Sequence, residues 1–190
     1  VGPVRIHPAL PNSAALQDFL TYWAGKRPGH LPQRGDFDPL VERPRMAPSM
    51  FLVDVLDEGA VFRFRLVGTR ITRFVGTDLT GIYTHYDPYA MTTSATARSF
   101  ELAVRHRKPI FVRADCWWSG DAHGRTETIV APLVDERGVV TMLFGFNVFI
   151  DPPVSLRNLE IRIGESEIYV LEDALDPPMA EQPPLEAEVA

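Results

Sequence analysis

The sequence holds a single cysteine, no long apolar run and no excess of positive charge. Cys116 stands alone, which rules out an internal disulfide. No stretch approaches the ~18 apolar residues of a membrane-spanning helix, and no basic-then-apolar leader opens the chain, so the expectation is a cytoplasmic protein without membrane contact. Asp and Glu number 25 against 19 Lys and Arg, a formal net charge of -6. The field that holds nucleic acid nonspecifically is therefore missing, and nucleic acid is set aside as a partner. Also missing are H-x-x-x-H, C-x-x-C and H-E-x-x-H spacings for a metal and the G-x-S-x-G elbow of a hydrolase. No catalytic residue and no metal ligand is assigned.

What remains is an ordinary globular composition, 45% hydrophobic and 23% charged over 190 residues, enough for one domain with a full core. The charge is uneven. Residues 172–190, "EDALDPPMAEQPPLEAEVA", carry acids and no base, and the other 19 acids are matched by the 19 Lys and Arg. A segment with repeated prolines and acids and no aromatic cannot bury enough surface to offset its ordering entropy, so disorder is expected after about residue 172.

Near the start, "NSAALQDFLTYWAGKR" offers a cap at Asn12 or Ser13 and then Leu16, Phe19, Leu20 and Trp23 at i, i+3, i+4 and i+7. That spacing predicts an amphipathic helix over 13–26, with Lys26 and Arg27 suiting its C-terminal dipole. Asp36 and Asp38 read as turn-capping residues with Arg34 as partner. A hairpin comes next. With Glu58-Gly59 as the turn, Val55 faces Phe62, Val53 faces Phe64 and Phe51 faces Leu66, while Asp54 faces Arg63 and Leu52 faces Arg65 on the other side.

Short helical turns at "TRITRFVG" lead to a longer helix capped by Asp87 and Pro88 and ended by Pro109, with Ala97, Phe100 and Val104 as its inner stripe. A strand at "PIFVRADCWW" precedes a second hairpin turning at Asp135 to Gly138. Its simplest register sets Leu133 against Val140, Ala131 against Met142, Ile129 against Phe144 and Glu127 against Phe146. The reverse face, with Val130, Val134, Val139 and Leu143, is too apolar to stay in water, and the N-terminal helix is the available lid.

The stretch "FRFRLVGTRITRFVGTDLTG" looks at first like a phosphate loop. Gly68, Gly76 and Gly81 fit neither G-x-G-x-x-G nor G-x-x-x-x-G-K-[ST], so they read as turn glycines.

Together, "LPQRGDFDP" (31–39), "FRFRLVGTRITRFVGTDLTG" (62–81) and "ETIVAPLVDERG" (127–138) resemble the stand-alone bacterial PAS-like family. The resemblance covers about residues 13–150. It implies an α+β fold, a five-stranded antiparallel sheet of order 2-1-5-4-3 with helices on one face and an N-terminal amphipathic helix. The expected divisions are an arm at 1–45, the PAS-like domain at 46–151 and an acidic, Pro-rich extension at 152–190. The resemblance further implies a non-enzymatic sensory or signalling module that binds a small molecule or a partner protein and dimerises. The ligand is unassigned. His7, His30, His85, His106 and His123 lack the setting of a haem ligand, and Cys116, in "RADCWWSG", lacks the N-C-R-F-L setting of a flavin photoadduct.

Two readings stand for the aromatic set Phe74, Tyr83, Tyr86, Tyr89, Phe100, Phe144 and Phe146: pocket lining or filled core. Arg113, Asp115 and Glu127 are the polar anchors to test with it. Leu16, Phe19, Leu20 and Trp23 are the homodimer candidates, covering the sheet of their own or a neighbouring subunit. Arg63 and Arg65 either pair with Asp54 and arm carboxylates or dock a partner. The competing classes are a small enzyme of cone-shaped α+β fold using Glu127 and Tyr83, and a ligand-free adaptor.

Overall fold

Alternating apolar residues and turn glycines give the chain its strands, and where helices cover both faces of the sheet, as at residues 129–134, the strand is apolar on both sides. The computed structural model describes residues 4–6, 13–84, 94–118, 122–152 and 161–171. His7, His85, Tyr86, Tyr89, the expected helix start at Asp87-Pro88 and the acidic tail lie outside the described residues.

Seven strands form one sheet among these residues: β1 (Val4–Ile6), β2 (Met50–Leu56), β3 (Val61–Val67), β4 (Ile110–Trp118), β5 (Ala122–Val134), β6 (Val140–Ile150) and β7 (Ile161–Val170). Their order is β1-β7-β4-β5-β6-β2-β3. Five adjacent strands, β2 to β6, reproduce the expected 2-1-5-4-3 order, all antiparallel, with β3 at one edge of the sheet. β7 adds an antiparallel strand beside β4, and β1 pairs with β7 in parallel. Among the described residues four α-helices accompany the sheet: α1 (Ala14–Ala24), α2 (Pro39–Glu42), α3 (Thr69–Val75) and α4 (Ser94–His106).

The first hairpin keeps its expected pairs from Val55↔Phe62 to Val53↔Phe64, but then the register shifts, and Leu52 meets Leu66 while Phe51 meets Val67. The extra residue is Arg65. A bulge bends its strand and flips the side chains beyond it, so Leu66 turns to the outer face and Val67 inward. In the second hairpin Ile129 meets Phe146, Ala131 meets Phe144 and Glu127 meets Val148, a two-residue displacement from the expected register. The loop is wider than a two-residue turn, since the Asp135 N–H donates to the Val139 carbonyl. A shift of two preserves which side chains share a face.

The faces themselves are reversed from expectation. Val130, Val134 and Leu143 lie in the cup with α3 and α4, and Val139 is exposed in the turn. α1 instead covers Ile129, Ala131, Leu133, Phe144 and Phe146. Its own rings explain the choice, because they need a broad aromatic bed. Phe19 meets Phe144 edge-on at 5.0 Å and stacks on Phe146 at 5.5 Å, and the Trp23 indole N–H donates to the Pro132 carbonyl at 3.1 Å.

α1 ends at Ala24, so Lys26 and Arg27 lie beyond its last turn and serve other partners. Lys26 pairs with Glu42, and Arg27, rather than Arg34, pairs with Asp36 at 2.7 Å. Arg34 donates to the Phe37 carbonyl. On α4 the fully buried positions are Phe100 and Ala103, with Ala97 and Val104 only half-buried.

Candidate functional site

Between the cup face of the sheet and α3 and α4 lies a cavity of about 120 Å³. Short side chains create it. Ala114 on β4 and Ala95 and Ser99 on α4 line it with side chains too short to fill it. Phe51, Phe64, Phe100 and Phe149 bring four rings to the wall, and Ile71 and Val75 of α3 also line it. Phe51 finds its place because Gly145 lies beneath it, where a Cβ would come within 2.0 Å of the ring.

The polar part of the wall is small and specific. Thr126 and Thr128 on β5 and Asn147 on β6 all point into the cup, and the Asn147 amide NH₂ donates to both threonine hydroxyls, at 2.7 and 2.6 Å. Its carbonyl oxygen Oδ1 is buried and has no hydrogen-bond partner. Ser99 also lines the cavity, but its hydroxyl already donates to the Thr96 carbonyl at 2.7 Å. Among the described residues no charged side chain lines the cavity.

Of the pocket candidates, Phe100 lines this cavity. Phe74 packs beside it, 4.6 Å from the Phe149 ring, and its carbonyl accepts from the Trp118 indole at 3.3 Å. Phe144 and Phe146 are on the opposite face under α1. Glu127 is on that face too, buried and paired with Arg113 at 3.0 Å; Arg113 reaches on to Glu167 at 3.8 Å. Asp115 sits between His123 and Arg125 at 3.7 and 3.8 Å. Tyr83 bridges to Arg63 on the outer edge of β3 and Tyr86 is outside the described residues. The structure does not bring Glu127 and Tyr83 together: β5 and β3 are separated by β6 and β2, and Glu127 faces away from the cup.

Sequence reasoning missed Asn147, Thr126 and Thr128. The signal was available as three polar residues on the same side of a hairpin as Val130 and Leu143, but it carries meaning only once that side is known to be the cup.

The interaction candidates resolve differently. Leu16, Phe19, Leu20 and Trp23 are buried against their own sheet. Arg63 binds Asp54 through two nitrogens at 3.1 and 2.6 Å, and Arg65 reaches the same carboxylate at 3.4 Å. Asp54 is 6% exposed, so the two guanidiniums neutralise a carboxylate that burial would otherwise penalise. Hydrogen bonds from Arg63 to Asp54 and to Tyr83 hold that guanidinium more firmly in its charged form.

Cys116 is buried behind the cavity wall among Trp118, Phe74 and Phe149. Burial, and then the charge of Asp115, push its thiol up to about 12, which keeps it a thiol at neutral pH. No group of His, Cys, Asp or Glu that could hold a metal occurs among the described residues, and no helix there is long and apolar enough to cross a membrane.

No curated protein matches the chain. The family model of the PAS domain matches residues 12–148, well over half of the sequence. The matched span runs from the cap of α1 almost to the end of β6, and so takes in the 2-1-5-4-3 part of the sheet, its helices and the cavity lining apart from Phe149 and Ile163. PAS domains are in general sensory and signalling modules without catalytic activity. With strand order, helix placement and sequence match in agreement, the chain belongs to the PAS domain family.

Proposed function

We propose that this PAS domain is a non-enzymatic sensor that holds a small neutral molecule in its cup and passes the occupied state to a partner protein. The observation that carries the reading is the cavity itself: apolar walls, no charged lining among the described residues, and one buried amide oxygen left without a partner. A buried acceptor without a donor costs free energy that a packed core would avoid. A ligand removes that cost. The enzyme reading needs a carboxylate at the reacting centre, and Glu127 faces the other side of the sheet.

The dimer belongs to the same proposal in altered form. α1 covers its own sheet, so a second copy or a partner meets other surface, such as the half-exposed Arg113, Asp115 and Arg125 on the part of the outer face beyond α1. Native mass spectrometry of the chain isolated from its host, beside the cavity-filling variant Ala114→Leu, tests the reading. A bound neutral molecule present in the natural protein and lost in the variant supports it. Bare chain mass in both samples overturns the sensor reading.

A further inference from the structure

We infer that the cavity selects a neutral, ring-sized molecule carrying one O–H or N–H donor, and that Asn147 is the residue that reads that donor. The inference rests on the sensor reading and deepens it. Three properties of the cavity define the ligand.

The first is size. A volume of about 120 Å³ is close to the ~150 Å³ of an apolar cavity known to admit benzene, which matches a molecule the size of one six-membered ring. The second is charge. With no Lys, Arg, His, Asp or Glu among the described lining residues, an ionised ligand would enter without a counter-charge, which is strongly disfavoured in such a site.

The third is polarity. The Asn147 amide NH₂ is held by Thr126 and Thr128, and this fixes the amide plane and leaves Oδ1 as the free acceptor. A ligand donor satisfies it. A ligand without a donor leaves it stranded, and a site built around a hydrogen bond rejects such analogues by more than it rejects a missing methylene. The rings of Phe51, Phe64, Phe100 and Phe149 provide the faces against which a flat ring packs.

The experiment uses phenol, toluene and benzoate as probes, measured by calorimetry on the full chain and on Asn147→Leu, which keeps volume and removes the amide. Phenol affinity is expected to fall about tenfold in the variant, the worth of one buried hydrogen bond, while toluene affinity holds or rises. Benzoate is expected not to bind. Should Asn147→Leu fail to fold, the Thr126→Val, Thr128→Val double variant releases the amide from its support and is expected to lose the same phenol preference. Toluene binding with no specific loss of phenol on either substitution overturns the Asn147 inference and leaves the sensor cavity standing. Benzoate binding as tightly as phenol overturns the neutral class. Failure of both phenol and toluene to bind the natural chain overturns the inference, while the sensor reading stands or falls on the native mass spectrum.

Discussion

Trp23→Ala is the sharpest test of how α1 is held. The indole is fully buried against the outer sheet face and its N–H is donated to the Pro132 carbonyl at 3.1 Å. Truncating a buried aromatic to alanine costs about 3–5 kcal/mol from lost transfer energy and the cavity left behind. Stranding the Pro132 carbonyl adds about 1 kcal/mol. The expected loss is therefore about 4–6 kcal/mol, a large share of the roughly 5–15 kcal/mol that stabilises a typical domain. Trp23→Phe keeps a ring but not the donor and is expected to cost about 1–2 kcal/mol. Urea unfolding of the three proteins at two chain concentrations tenfold apart gives both quantities. Because α1 covers its own sheet, the losses are expected to be the same at both concentrations. A Trp23→Ala loss under about 1 kcal/mol, or one that shrinks as concentration rises, refutes the packing of α1 on its own chain.

Two further predictions concern titratable groups. Glu42 is held down to about 2 by hydrogen bonds from Lys26 first, then from Tyr22 and the Asp38 N–H. Its folded value lies below the ordinary 4.5, so its contribution is complete above pH 4.5 and fades as pH falls toward 2. Thermal melts of the natural chain and Glu42→Gln are expected to differ most at neutral pH and to converge between pH 4.5 and 2; a constant difference across that range contradicts the pairing. Cys116, buried with its thiol raised to about 12, is expected to react with a disulfide reagent at pH 8 at least about a thousandfold more slowly in native buffer than in denaturant, since labelling awaits opening of the domain. Prompt native labelling places the thiol at the surface.

The element order and both hairpin turns were legible in the sequence because period-two alternation and turn glycines are local signals. Which face of the sheet forms the cup was not. On β5 and β6 both alternations are apolar, Ile129, Ala131 and Phe144 on one side and Val130, Val134 and Leu143 on the other. Only packing separates them: α1 brings Phe19 and Trp23 and takes the face with the phenylalanines. That one ambiguity misplaced Glu127, Phe144 and Phe146 as pocket residues and hid Asn147. The bulge at Arg65 was hidden for another reason: it puts Leu66 outward and Val67 inward, and two adjacent apolar residues do not show in the sequence which of them faces in. β7 was obscured by its polar middle, "GESE". It holds there through the β4 ladder, with Gly164 lying under the Trp117 ring where a Cβ would come within 2.2 Å.

The route from the cavity to the outer surface is short. On β5, Thr126 and Thr128 point into the cup and Glu127, between them, points out to Arg113. On β6, Asn147 points in and its neighbours Phe146 and Val148 point out toward the α1 cluster. A strand has no slack between adjacent residues, because successive side chains share one rigid backbone and differ only in the face they take. On the proposed reading, a ligand that pulls on the Asn147 amide acts on the backbone that also positions the Arg113–Glu127 pair and one end of the bed beneath α1. Coupling of this kind requires no long chain of intermediaries; it requires only that the residues that sense and the residues that report alternate along the same two strands, as they do in β5 and β6.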